Sequence, residues 1–305
     1  MGEFDYIRRL RRRIAPDPRV QVGPGDDCAV LTGPGGAGWI ATTDMLMDGV
    51  DFLLDEVGPR RAGRKAMAAN LSDIAAMAGR PVAAVVSVAL PRHASASFAE
   101  ELFFGLKDCA DEFQTAIVGG DTNVWDGRLA LSVTVMGEPG PAGAILRSGA
   151  RPGDRLLVTG PLGGSILGKH LDFTPRVREG LLLAEMTSLH ALIDISDGLA
   201  ADANHIGEES GCGIVLRAAT IPIAPSAYQA GGKTPLERAL SDGEDFELLF
   251  AVTPEEARRL LDLQPLPEVT VYEVGECVAG TGLYLEDGGK RRPLEPVGFV
   301  HQTDA

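Results

Sequence analysis

Short apolar runs and amphipathic stretches alternate along almost the whole chain. Phe4, Ile7, Leu10 and Ile14 recur at helical spacing and predict an amphipathic first helix. Residues 28–31 read as a short strand closed by the Gly33–Gly36 turn, and 39–43 as a second strand that delivers Asp44. Pro59 suits the first turn of a helix running to about Met77, with Gly79 as its stop. Residues 82–90 form a β-branched run that predicts a buried strand. Then come a helix over 98–113, a strand over 116–118 ending at Gly119-Gly120-Asp121, and a strand over 129–136. Pro139, Gly140, Pro141 and Gly143 mark a boundary and divide the chain into 1–140 and 141–305. The second part predicts strands at 155–159, 192–195, 214–217, 246–252, 269–278 and 283–286. Its helices are expected to start near Gly163 and over 178–189 and 199–209, with one more opened by Thr253 as cap and Pro254 at its first position. Strands and helices alternate in both parts, so the class is α/β or α+β.

At 305 residues the chain can bury a substantial core, and two domains are expected. A formal charge of -15 argues against sequence-independent nucleic-acid binding, which needs a basic surface. Cys28, Cys109, Cys212 and Cys277 lie far apart with no CxxC pair. A disulfide framework or zinc site is therefore not expected, and a reducing cytoplasm fits. No segment reaches the roughly 20 apolar residues of a membrane span, and the arginine-rich start is not followed by the apolar stretch of a signal peptide.

Chemistry is suggested by aspartates at the ends of apolar runs. They are Asp26 and Asp27 after Gly25, Asp44 after Thr42-Thr43, Asp73 after Leu71-Ser72, Asp121 after Gly119-Gly120, and Asp194 and Asp197 around Ile195-Ser196. One such Asp is a turn former or cap. Together they suggest hard oxygen ligands of the kind Mg²⁺ takes in phosphate chemistry. Asp27 and Asp44 can share an ion if their strands are neighbours, with hydroxyl or backbone oxygens added by Thr42 and Thr43. Asp73 falls inside a predicted helix with small apolar flanks, where a buried carboxylate needs a partner and no Lys or Arg stands one turn away within 70–77. Glycines 119 and 120 allow close approach of backbone to phosphate. Metal-assisted phosphoryl transfer is the reading these residues support.

Other motifs carry less. Residues 163–170 nearly match GxxxxGK[ST], but His170 replaces the hydroxyl residue, so a Gly-rich helix opening with Lys169 on the surface is expected. The five histidines show no ligand spacing and read as surface or packing residues.

The aspartate segments, with Lys65-Ala66, Asn70, Arg147-Ser148-Gly149-Ala150, Pro152-Gly153-Asp154 and Gly243-Glu244-Asp245-Phe246-Glu247-Leu248, occur in an order that resembles the thiamine-monophosphate kinases, within the superfamily of aminoimidazole ribonucleotide synthetase. The resemblance covers nearly the whole chain. It implies an N-terminal mixed-sheet domain that dimerises as a β-barrel and a C-terminal α/β domain folded over it. It also implies transfer of the ATP γ-phosphoryl group to thiamine phosphate in a homodimer that uses several Mg²⁺ ions. By position it implies Asp27, Thr42, Thr43, Asp44, Asp73, Asp121, Asp194 and Asp197 as metal ligands. Gly120, Asp121, Arg147, Ser196 and Phe103 are implied for ATP, and Glu244 for the acceptor.

Two positions depart from the family pattern. Asp51 stands where the family has a substrate-touching His, and Phe299 is the nearest aromatic where the family has one two residues before a Gly. Both are candidate acceptor contacts. An ATP-dependent enzyme with another acceptor, or a catalytically silent ATP- and Mg²⁺-binding protein, is the alternative.

Overall fold

The computed structural model describes residues 7, 9–33, 36, 38–229 and 231–299. Strands β1 (Val20–Val22), β2 (Ala29–Thr32), β3 (Gly38–Met47), β4 (Gly79–Pro91), β5 (Ala116–Trp125) and β6 (Ala130–Pro139) form one sheet in the order β1-β2-β3-β6-β4-β5. Only β4 and β5 run parallel. In the single chain this sheet is open rather than a closed barrel, and β5 is an almost wholly exposed edge.

A second sheet orders β7 (Arg155–Thr159), β8 (Ala191–Asp194), β9 (Gly213–Arg217), β10 (Leu248–Val252), β11 (Val271–Val278), β12 (Leu283–Asp287) and β13 (Lys290–Pro293) as β13-β12-β9-β11-β7-β10-β8. Both faces of its central strands are covered. In β7, Leu157 joins the core shared with the first sheet, whereas Leu156 and Val158 join a separate core. That separate core also holds Leu199, Ala203 and Ile206 of helix α5 (Leu199–Ser210). Two-sided burial explains why these strands read as unbroken apolar runs.

Helix α1 (Leu54–Ala76) lies between the sheets and touches β3 and β6 on one side and β8 on the other. Its backbone breaks at Gly58 (φ 72, ψ 165), so Pro59 does open the main helical stretch, as its fixed φ favours. The expected stop at Gly79 is wrong: Ala78 turns the chain at φ 50, and Gly79 already belongs to β4. Helix α2 (Ala96–Glu112) packs on α1 at backbone contact, since a Cβ on Gly63 would lie 2.2 Å from the Leu102 carbonyl oxygen. Helices α3 (Lys169–Asp172), α4 (Val177–Met186), α6 (Pro235–Ser241) and α7 (Pro254–Leu263) complete the second half. As predicted, the Thr253 side chain caps α7 by accepting from the Glu256 N–H.

Of the predicted first helix, Phe4 lies outside the described residues, Ile7 and Leu10 are helical, and Ile14 lies past the helical turn with its side chain exposed. Pro34 and Gly35 of the Gly33–Gly36 turn are also outside the described residues. Among the described residues no helix is long and apolar enough to cross a membrane.

Candidate active site

Helix α1 presents Asn70, Ser72 and Asp73 at the seam between the sheets. Strand β3 supplies Thr42 and Asp44, the loop after β1 supplies Asp27, and β8 ends on Asp194. One carboxylate oxygen each from Asp27, Asp73 and Asp194 lie within 4.8 Å of one another. The Thr42 hydroxyl donates to Asp73 Oδ2, and the Ser72 hydroxyl to Asp194 Oδ2. The Asp44 N–H donates to Asn70 Oδ1 at 3.0 Å. Arg147 reaches the cluster through Asp27, with Nη2 2.6 Å from Oδ1 and Nε 3.3 Å from Oδ2.

Crowding dominates the electrostatics. Burial first, and then the charges of Asp44, Asp194 and Asp27, push the Asp73 carboxyl well above its ordinary range. Burial and Asp27 push Asp194 up to about 8. Burial, Asp51 and Asp27 raise Asp44 to about 6. Asp73 and Asp194 accept from the Thr42 and Ser72 hydroxyls, and the Arg147 charge offsets only part of the repulsion at Asp194. Such a set of hard, mutually repelling oxygens fits divalent cations such as Mg²⁺, whose charge would offset the repulsion.

Beside the acids opens a cleft of about 250 Å³. Asp44, Asp51, Asp73, Asp197 and Glu244 give it a negative lining, and Met45, Val50, Ile166 and Phe299 add apolar surface. Lys65 is buried at its base. Its ammonium donates to the Asp51 carbonyl oxygen (2.6 Å) and to Glu244 Oε1 (2.6 Å), and lies 2.9 Å from His170 Nδ1. His170 Nδ1 is also 2.9 Å from Glu244 Oε2. Burial opposes the charge on Glu244, but His170 and Lys65 prevail and hold its pKa below the usual value. The Phe299 N–H donates to the Asp197 carbonyl oxygen at 3.1 Å, which brings the C-terminal aromatic to the cleft.

Residues 25–138 and 151–288 match the N-terminal and C-terminal domains of the family described as AIR synthase related protein. A thiamine-monophosphate kinase of Rhodopirellula baltica is 42% identical over 99% of this chain and 98% of its own length. The chain belongs to the thiamine-monophosphate kinase family. A Caulobacter vibrioides thiamine-monophosphate kinase is 32% identical, covering 98% of this chain and 90% of that protein. A solved structure named AaThiL complexed with AMPPCP and TMP superposes with a TM-score of 0.85 at 30% identity, covering 99% of this chain and 97% of that one.

Within this member of the thiamine-monophosphate kinase family, the residues expected from sequence divide into groups. Asp27, Thr42, Asp44, Asp73 and Asp194 meet at the seam, and Asp44 and Asp73 also line the cleft with Ser196, Asp197, Asp51, Glu244 and Phe299. Thr43 faces the other side of β3, where its hydroxyl donates to the Val133 carbonyl oxygen (3.1 Å) and accepts from Thr134 (2.9 Å). The strand expected to end at Gly119-Gly120-Asp121 instead runs through them to Trp125. Gly120 and Asp121 line a second groove with Phe103, between β4, β5 and α2. In the sheet order Asp121 stands three strands from Asp44, about 14 Å at ordinary strand spacing.

Two expectations are corrected. Lys169 is not a free surface residue: it is half-buried and donates to Glu247 Oε1 at 2.8 Å, because the buried Glu247 requires cationic partners. His170 is neither a surface nor a simple packing histidine, since it touches Glu244 and Lys65. Lys65 had a signal in the sequence, as an ammonium set in a helix stretch, Ala62 to Ala76, that is otherwise mostly small or apolar.

Proposed function

We propose that the chain transfers the γ-phosphoryl group of ATP to thiamine monophosphate, giving thiamine diphosphate, by direct in-line displacement. The observation that carries this reading is the buried group Asp27, Asp73 and Asp194 opening onto a cleft that offers acids and apolar surface to an acceptor. The names of the relatives, and the nucleotide analogue and TMP named with the AaThiL structure, support the same donor and acceptor here. When bound, Mg²⁺ neutralises and aligns the phosphates between which the phosphoryl group moves. Asp27, Asp44, Asp73, Asp194 and Asp197 would hold several such ions, with Thr42 and the Thr43 carbonyl oxygen beside them. Arg147, fixed by Asp27, and Ser196 would meet the nucleotide phosphates. Glu244, Asp51 and Phe299 would meet the acceptor, with the carboxylates favouring its cationic rings.

The reading includes a homodimer, and the exposed edge of β5 supports it. Val118 and Trp125, with Phe103 and Phe104 of α2, leave apolar surface and unpaired backbone at one edge. Because Asp121 and Gly120 lie on that edge, far from Asp44 in their own chain, they would serve the acids of a second copy. Division into domains 1–140 and 141–305 and residence in the cytoplasm belong to the same reading; four free, buried cysteines are consistent with a reducing compartment.

A panel assay of ADP formation with thiamine, thiamine monophosphate and aminoimidazole precursors tests the proposal. Mg²⁺-dependent ADP formation only with thiamine monophosphate is expected. Turnover with another acceptor, or none with any, overturns it.

A further inference from the structure

The segment 163–170 resembles a phosphate-binding loop in sequence but is built for another task. In a phosphate loop the backbone N–H groups face the ligand. Here the Gly163 N–H donates to both carboxylate oxygens of the fully buried Asp245 at 2.9 Å, and the Ser165 hydroxyl donates to the same carboxylate. Lys169 donates to the Asp245 carbonyl oxygen (3.1 Å) and to Glu247 (2.8 Å), and His170 meets Glu244. Phe173 stacks on Phe246 with ring centroids 3.9 Å apart. Four successive residues, 244–247, thus hold the segment from Gly163 to Phe173. Gly163 and Gly164 let the loop also press against α6 and the 225–228 turn: a Cβ on either would come within 2.7 Å of the backbone at Ala239 or Ala227.

A loop fastened this firmly still exposes an aliphatic side chain. Ile166 sits on a single 3₁₀ turn, Ser165–Leu167, is 49% exposed, and lines the cleft together with Glu244 and Phe299. An isoleucine held rigidly at the mouth of an acid-lined cleft leaves apolar area open to a flat, apolar-faced ligand.

We propose that Ile166 is a specificity-determining residue that packs against the ring system of the acceptor, and that the clamp from the 244–247 segment fixes it there. The nucleotide has no part in this contact. The inference rests on the reading of the protein as a kinase of thiamine monophosphate.

Steady-state kinetics of the full chain tests it, with Ile166→Asn and Ile166→Val beside the wild type. Asparagine removes the apolar contact at similar size without adding a charge that would itself attract cationic rings. Ile166 is exposed, so neither substitution disturbs the core; matching melting temperatures check this. Ile166→Asn is expected to raise the KM for thiamine monophosphate about tenfold and to leave the KM for ATP unchanged, and Ile166→Val to change either KM by about twofold at most. An unchanged acceptor KM in Ile166→Asn, or an equal rise in both KM values, overturns the inference. A wild type that does not turn over thiamine monophosphate would instead refute the underlying reading, so the two failures are distinguishable.

Discussion

Asn70 accepts the backbone N–H of Asp44 at 3.0 Å while donating from Nδ2 to the Ala66 carbonyl oxygen at 2.9 Å. A fully buried amide thus locks β3 to α1 beside the acids. Asn70→Ala leaves a strand N–H unsatisfied, at a cost of about 1–3 kcal/mol. A fall of several degrees in Tm is expected, together with a higher Mg²⁺ requirement for ADP formation. Wild-type values of both would mean that the lock is dispensable.

The raised carboxyls make stability depend on pH. Burial and acid neighbours hold Asp194 at about 8 and Asp44 at about 6, against ordinary values of 3.8. Between the ordinary and the raised values the folded metal-free chain binds protons that the unfolded chain has lost. Its stability therefore falls as pH rises from about 4 to about 8. Divalent ions bind the charged form and reverse this. Mg²⁺ should raise Tm more at about pH 8 than at about pH 6, measured against an EDTA control. A larger gain at the lower pH would contradict the metal assignment.

Asp51 combines two roles that a careful substitution separates. Its carboxylate accepts the Met47 N–H at 2.6 Å, which shapes the turn after β3, and it also faces the cleft. Asp51→Asn keeps an acceptor for that turn and removes the charge. The KM for thiamine monophosphate should rise about five- to thirtyfold, with the KM for ATP nearly unchanged. Equal kinetics in the mutant and the wild type would reduce Asp51 to a turn residue.

Asp44→Asn and Asp121→Asn should each lower turnover about 10²-fold or more, since each removes a negative charge from the phosphate site. If Asp121 serves a second copy, unfolding and refolding the two mutants together should restore activity. Random pairing gives about a quarter of wild-type turnover, because half the dimers are mixed and each has one intact site. No recovery in verified mixed dimers would confine Asp121 to its own chain's site.

Much of this was legible because local chemistry agreed with the tertiary outcome. Residues 155–159 form β7 as predicted, since an apolar run in a two-sided sheet has no competing helical reading. Asp73 was anticipated as a buried acid needing a partner, and its hydroxyl partner comes from Thr42, 31 positions away. Three features were hidden. β5 continues through two glycines because parallel pairing with β4 holds them, an influence absent from the local sequence. The sequence did not reveal that Thr42 and Thr43 point to opposite faces, although strand alternation requires it once β3 is known to continue to Met47. His170 became a site residue only when α3 was packed against α1.

Helix α1 carries both Lys65, which fastens Glu244, and Asp73, which belongs to the acid group. They stand eight positions apart in continuous helix, about 12 Å along the axis at 1.5 Å per residue. On the proposed reading this segment would act as a ruler between the place where an acceptor's rings would rest and the place where its phosphate would react. Changes in the loops around the cleft would then reshape the molecule accepted without altering that span. One inserted residue between 65 and 73 would turn the two ends about 100° out of phase. Acceptor length would thus be set by a covalent dimension of the scaffold, with acceptor identity left to the side chains around it.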